Sequence, residues 1–244
     1  MDVMDKVGLF TFTVEPYLTD FRGQVTLAML GNYLIHAASN HAACRGFGFD
    51  DMTENHTAWV LSRLAIEMQD YPRSGASVSL YTWIEGAGKL FTSRCFEFVD
   101  GKGKTFGYAR SVWAAIDIRT RRPTLLDVEE LNRYIVERPC PIATPKKIPP
   151  VEAQVNGIPY TVKYSDLDIN GHLNSIKYIE HLLDLFDLER FKQKQIDRFE
   201  IAYLSEGRYG MELSLHSMEV SSDHYRMAIC NEGKAICRAE VVWK

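Results

Sequence analysis

Tyr164-Ser165-Asp166-Leu167-Asp168-Ile169-Asn170-Gly171-His172-Leu173-Asn174-Ser175-Ile176-Lys177-Tyr178-Ile179 carries the chain from the end of a strand into a helix, and its reading decides the fold. Upstream, residues 154–163 read as a strand. Downstream, Ile176, Ile179, Leu183 and Phe186 recur at helical spacing and mark one apolar face. Between them, Asp168, Asn170 and His172 alternate over five positions. One side chain holds negative charge, one makes neutral hydrogen bonds, and one titrates near neutral pH. Asp and Asn are common helix caps, because the first backbone N–H groups of a helix need acceptors. A cap needs one such residue, so the cluster fits either a cap with polar surplus or a catalytic group.

Working outward, the chain repeats itself. Residues 63–86 and 198–221 align without a gap at an offset of 135, pairing Arg63 with Arg198, Ile66 with Ile201 and Gly75 with Gly210. Further on, Val112-Trp113 matches Val242-Trp243. Each half therefore has one plan: a strand (7–14 and 154–163), a polar crossing, an amphipathic helix, then four strands. Leu27, Leu30, Leu34 and Ala38 mark the first helix face. Hairpin signals stand at Asp100-Gly101 and Asn231-Glu232-Gly233. The segment 119–150 holds six of the nine prolines, which excludes a central strand and reads as a surface linker with a short helix over 127–137. The expected domains are thus 1–118, a linker 119–150, and 151–244. The first crossing, Thr19-Asp20-Phe21-Arg22-Gly23-Gln24-Val25, has no Asp-x-Asn-x-His, and Tyr71 stands where the second half has Glu206. One complete polar set implies one active site per chain.

Composition excludes several classes. With 46% hydrophobic and 25% charged residues the chain is globular, and a net charge of −4 gives no general attraction to nucleic acid or anionic membranes. No apolar run is long enough for a membrane span. Five scattered cysteines without C-x-x-C spacing suit reduced thiols in a cytoplasmic protein. An acidic, short N-terminus is unlike a targeting peptide. The seven histidines show no metal spacing, and nucleotide-binding and nucleophile-elbow glycine patterns are missing, so no metal or cofactor is expected.

The quoted stretch resembles the active-site segment of the plant-type acyl-acyl-carrier-protein thioesterases, D-x-N-x-H-x-N-[NS]-x-K-Y. Trp59-Val60-Leu61-Ser62-Arg63, Tyr71-Pro72 with Gly75, Thr82-Trp83, and Ser111-Val112-Trp113 with Thr120-Arg121-Arg122 resemble that family's first half in the same order. The likeness runs from about Phe10 to Trp243, and the missing transit peptide points to a bacterial member. It implies an α+β chain of two tandem hotdog folds, each an antiparallel sheet wrapped around a long central helix. It also implies hydrolysis of fatty acyl-acyl carrier protein to free fatty acid, which terminates chain elongation. Carried over residue by residue, Asp168, Asn170, His172 and Glu206 take the catalytic positions, with Glu206 34 residues after His172. Some plant members have Cys after this Glu; Gly207 stands here, which excludes a cysteine nucleophile. The first half would line the acyl pocket.

The resemblance leaves the base open. Glu206 activating water, with Asp168 orienting Asn170 and His172, is the preferred reading; Asp168 attacking directly is the alternative. The oxyanion donor is either the Asn170 amide or a backbone N–H near the helix start. The implied partner is acidic acyl carrier protein, docking on basic residues drawn from Arg119 to Arg122, from Lys146-Lys147, or from Lys192, Lys194 and Arg198. No nucleic acid or membrane insertion is expected, and the chain is a monomer or homodimer. The competing functions are an acyl-CoA thioesterase, a hydratase of the same architecture, and a non-catalytic acyl-sensing regulator.

Overall fold

A computed structural model describes residues 6–151 and 157–244. These fall into two compact units, the first ending at Thr144 and the second beginning at Pro145.

In the first unit, β1 (Gly8–Thr13) leads through a single 3-10 turn into α1 (Leu27–Ala43), followed by the short α2 (Phe49–Glu54). Four antiparallel strands follow: β2 (Thr57–Met68), β3 (Ser77–Ala87), β4 (Thr92–Asp100) and β5 (Thr105–Asp117). Their order in the sheet is β1-β3-β4-β5-β2. The Thr26 hydroxyl caps α1 by accepting from Met29 N–H at 3.2 Å. The expected face is buried: Leu27, Leu30, Leu34 and Ala38 are all at most 5% exposed, against a core of Leu64, Ile66, Trp83, Phe96 and Phe98.

The expected linker is mostly exposed and is tied to the first unit's sheet at several points. Its helix α3 (Val128–Asn132) is shorter than the 127–137 expected, because the chain leaves it to pair with β3. Ile135 bridges Ile84, and Val136 N–H donates to Ile84 O at 3.1 Å. Arg138 then pairs with Glu97 and lies 4.9 Å over both the Tyr81 and Trp83 rings. Arg110 holds the end of the segment through Cys140 O at 3.0 Å and the Thr144 hydroxyl at 2.7 Å. The strap meets the sheet through isolated bridges, Pro123 to Ile116 and Ile135 to Ile84, and not as a strand of its own.

The second unit repeats the plan. β6 (Ile158–Thr161) runs through a 3-10 turn at Tyr164–Asp166 into α4 (Ser175–Leu183) and the short α5 (Leu188–Gln193). Then come β7 (Ile196–Tyr203), β8 (Glu212–Ser221), β9 (His224–Asn231) and β10 (Lys234–Trp243), in sheet order β6-β8-β9-β10-β7. The topology matches the first unit strand for strand. Most of the expected strand start lies outside the described residues, and Pro159 sits on β6, which among the described residues pairs on one side with β8, where a missing N–H is tolerated.

α4 has nine residues against seventeen in α1, so the second helix is not long. Asp187 caps a new helix by accepting from Arg190 N–H at 2.8 Å, which breaks the expected face. Ile176 and Ile179 are buried, and Leu182 replaces Leu183 as the next core contact. Phe186 lies beyond the helix end and packs edge-on against Tyr225 and Trp243. The core of this unit is Phe199, Ile201, Met227, Ile229 and Val241.

Candidate active site

The crossing between β6 and α4 is a closed loop built around Asp168. Its Oδ1 accepts the backbone N–H groups of Asn170 at 2.8 Å and His172 at 3.0 Å. Asp168 N–H donates to His172 O at 2.8 Å, and Gly171 N–H donates to Asp168 O at 3.0 Å. The tightness of this turn puts Gly171 at φ 73°, a conformation that favours glycine. Asn174 ends the loop as the cap of α4, accepting Ile176 N–H at 2.8 Å.

Glu206 arrives from the turn after β7. Leu173 N–H donates to Gly207 O at 2.8 Å, and His172 pairs with Arg208 in an isolated antiparallel bridge, so the loop and the turn are zipped together. This sets His172 Nε2 3.2 Å from Glu206 Oε2, with the two side chains 19% and 33% exposed. The pair is partly exposed to solvent, while Asn170 stands exposed at the loop tip. Gly207 is buried, and a side chain there would place Cβ 2.9 Å from Leu173 Cβ and 3.2 Å from Tyr178 Oη. A cysteine after Glu206 has no room.

Beneath the loop lies a buried polar network that the sequence did not announce. The Asp166 carboxylate is 4% exposed and accepts from Tyr160 Oη at 2.6 Å and Lys163 N–H at 2.8 Å, with His181 Nε2 at 3.2 Å. Burial alone would raise the Asp166 pKa, but the hydrogen bonds from Tyr160 and Lys163 and the neighbouring His181 outweigh it and hold it below the usual value. Burial and the Asp166 carboxylate push the Tyr160 hydroxyl upward.

The first unit contains the same loop with different chemistry. Asp20 Oδ1 accepts Arg22 N–H at 2.8 Å and Gln24 N–H at 3.2 Å. Asp20 N–H donates to Gln24 O at 2.8 Å, and Gly23 sits at φ 69°. Asp20 thus answers Asp168 at an offset of 148, with Arg22 and Gln24 in place of Asn170 and His172. Tyr71, in place of Glu206, is 6% exposed. The network has no counterpart: Phe12, Leu18 and Tyr33 occupy the positions of Tyr160, Asp166 and His181. Phe12 and Tyr33 simply stack at 4.2 Å.

Models of the acyl-ACP thioesterase N-terminal and C-terminal domains match residues 8–134 and 151–244. The chain belongs to the acyl-ACP thioesterase family. Oleoyl-acyl carrier protein thioesterase 1 of Arabidopsis thaliana is 30% identical over 214 residues, covering 80% of this chain. The chain spans 57% of the length of that relative. Among solved structures, an acyl-ACP thioesterase from Bacteroides thetaiotaomicron is 44% identical, with a TM-score of 0.94 and full coverage of both chains. The 12:0-ACP thioesterase from Umbellularia californica shares the fold at 22% identity and a TM-score of 0.87, over 98% of this chain and 97% of its own. Both units of this family member are therefore of the hotdog type, in an α+β chain. No helix among the described residues is long and apolar enough to cross a membrane.

Of the four expected site residues, the structure joins Asp168, His172 and Glu206 in one assembly and leaves the Asn170 side chain outward. The expected basic surface at Lys192, Lys194 and Arg198 is neutralised by Glu189, Asp223 and Glu200 respectively. Among the described residues, His41 in the first unit is held by Lys6 O at 3.1 Å and Arg94 at 2.9 Å. Burial and the two nearby arginines lower its pKa to about 3, so it is a neutral structural group.

Proposed function

We propose that this chain hydrolyses the thioester of a fatty acyl chain carried on acyl carrier protein, releasing the free acid and ending elongation in the cytoplasm. The observation that carries the reading is the His172–Glu206 pair, set at 3.2 Å on a closed loop in a member of this family. The Bacteroides relative, named an acyl-ACP thioesterase, covers the whole chain and supports it.

The division of labour follows from which groups are already occupied. Asp168 Oδ1 spends its lone pairs on two backbone N–H groups, and Asp20 does the same where no His or Glu is present. Because Asp20 holds its loop in the same way, we assign Asp168 as the loop's scaffold and Glu206, in contact with His172, as the base. Glu206 takes a proton from water, and the resulting hydroxide attacks the carbonyl carbon. Among loop backbone donors, the N–H groups of Asn170, Gly171, His172, Leu173 and Asn174 are all engaged within the fold. The oxyanion donor is then the exposed Asn170 amide or a backbone N–H outside that set, such as Ser175 at the helix start, and one such bond is worth about 10²–10³ in rate. Collapse of the intermediate breaks the C–S bond. The proton taken up by Glu206 passes through His172, 3.2 Å away, to the departing thiolate, so both residues are regenerated and water and thioester become acid and thiol.

The test is side-by-side hydrolysis of one acyl chain on acyl carrier protein and on coenzyme A, followed by product analysis. Faster release from the carrier supports the proposal. Preference for the coenzyme A ester assigns the chain to that substrate, and binding without turnover leaves the acyl-sensing reading.

A further inference from the structure

Tyr178 is 3% exposed, and its hydroxyl touches the main chain on both sides of Glu206. It accepts Gly207 N–H at 2.8 Å and donates to Ser205 O at 3.3 Å. Burial pushes this hydroxyl above the usual tyrosine range, so it keeps its proton and stays a donor. Its ring packs edge-on at 5.5 Å against Tyr203. A single side chain on α4 thus grips the residues before and after the carboxylate.

The first unit shows what the fold alone requires. Leu30 stands in place of Tyr178, and Pro72 in place of Gly207. Leucine has no hydroxyl and proline has no N–H, so neither half of the grip exists there. The turn forms all the same: Val25 N–H donates to Pro72 O at 2.9 Å, as Leu173 N–H does to Gly207 O at 2.8 Å. Both turns close on a left-handed glycine, Gly75 at φ 82° and Gly210 at φ 77°. The zipped loop and turn therefore fold without a tyrosine. The grip is found in the unit that carries Glu206 and His172, and there it leaves a buried Gly207 N–H in need of an acceptor.

We propose that Tyr178 is a positioning residue for Glu206, fixing the Ser205–Gly207 main chain so that the carboxylate stays against His172. The inference rests on the reading of Glu206 as the base. Tyr178 touches backbone rather than substrate, so its effect on rate passes through Glu206. Misplacing a catalytic group by about 1 Å costs as much as 10² in rate. Release of one of several restraints is expected to cost about tenfold.

The experiment measures steady-state hydrolysis and thermal unfolding for Tyr178→Phe, Glu206→Gln, the double variant, and Tyr203→Phe. The last loses a hydroxyl bond to Ser175 O at 2.8 Å, away from the Glu206 turn, and is the control for removing a tyrosine hydroxyl from this unit. Tyr178→Phe should lower kcat about tenfold with KM within twofold, while Tyr203→Phe stays within twofold in both. In the Glu206→Gln background the added Tyr178→Phe should cost less than twofold. The imidazole ¹⁵N signals of His172 give a second reading that needs no turnover: Tyr178→Phe should move them toward those of Glu206→Gln. A Tyr178→Phe enzyme with wild-type kcat, a full tenfold loss retained in the double variant, or unmoved His172 signals would overturn the proposal. Wild-type turnover by Glu206→Gln alone would instead overturn the reading beneath it, and that outcome is separable from the others.

Discussion

Replacing Asp168 in two ways separates scaffold from chemistry. Asp168→Asn keeps an oxygen able to accept the Asn170 and His172 N–H groups and loses only the charge; Asp168→Ala removes the acceptor. A hydrogen bond to a charged group contributes about 1.5–3 kcal/mol net and a neutral one about 1. The loop is partly open to water, which can satisfy a released N–H, so the lower ends apply. Asp168→Asn is then expected to cost about 1 kcal/mol of loop stability, and Asp168→Ala about 2–3. If the working loop is marginally favoured, 1 kcal/mol is a factor of about five in its population. Asp168→Asn should therefore keep kcat within about tenfold of wild type, and Asp168→Ala should lose far more. The assay is acyl-carrier thioester hydrolysis, with far-UV circular dichroism and thermal unfolding to show that both variants fold. If Asp168 attacked the carbonyl or deprotonated water, asparagine would be as inert as alanine. An Asp168→Asn enzyme that is folded and down a thousandfold would refute the scaffold assignment and restore Asp168 as nucleophile or base.

Other outcomes follow from single contacts. Gly207→Ala should destabilise the chain by about 1–3 kcal/mol, since Cβ would meet Leu173 at 2.9 Å, and should lower kcat by displacing Glu206; unchanged melting and turnover would show that the turn yields freely. Asp166 has a folded pKa depressed below 3.8, so its contribution is present above that pH and lost as pH falls through the lower folded value. Asp166→Asn should therefore lower the melting temperature near neutrality, with the gap to wild type narrowing below about pH 3.8; a gap independent of pH would contradict this. Lys192, Lys194 and Arg198 are each paired to an acid, and the Arg119–Arg122 region and Lys146-Lys147 are the other proposed docking candidates. Reversing Arg121 and Arg122 should raise KM for the carrier substrate with little change in kcat, and salt should weaken carrier turnover more than coenzyme A turnover, because exposed charges are screened over about 8–10 Å. Equal salt dependence for both substrates would place docking elsewhere.

Much of this architecture was legible because it rests on local rules. The 3.6-residue period marked the buried face of α1, and Asn231-Glu232-Gly233 marked a hairpin whose residues Glu232 and Gly233 adopt φ 48° and 76°. The Asp-x-Asn-x-His spacing marked the loop, because a closed turn needs its acceptor, its glycine and its functional side chains at fixed positions. Other features were hidden for physical reasons. α4 stops early because Asp187 starts a second helix, and a capping residue inside an apolar pattern looks like an exposed face. The 119–144 strap looked like a linker because prolines exclude a sheet but say nothing of side chains packing upon one. Asp20 went unnoticed as the counterpart of Asp168 because the crossings align at an offset of 148 and the strands at 135. The longer first helix region absorbs the difference. The Tyr178–Gly207 bond joins residues 29 apart, and only the tertiary fold brings them together.

The central claim is that Glu206 acts as base beside His172 on a thioester presented by acyl carrier protein. Its most direct test is single-turnover hydrolysis of an acyl-carrier thioester by wild type and by Glu206→Gln, with substrate affinity measured separately. The amide keeps the size and hydrogen-bonding reach of the carboxylate but cannot accept a proton from water, and general base catalysis contributes about 10²–10⁴ in rate. The account predicts a loss of the chemical step in that range with affinity unchanged and the fold intact. A Glu206→Gln enzyme that releases fatty acid at close to the wild-type rate would contradict it.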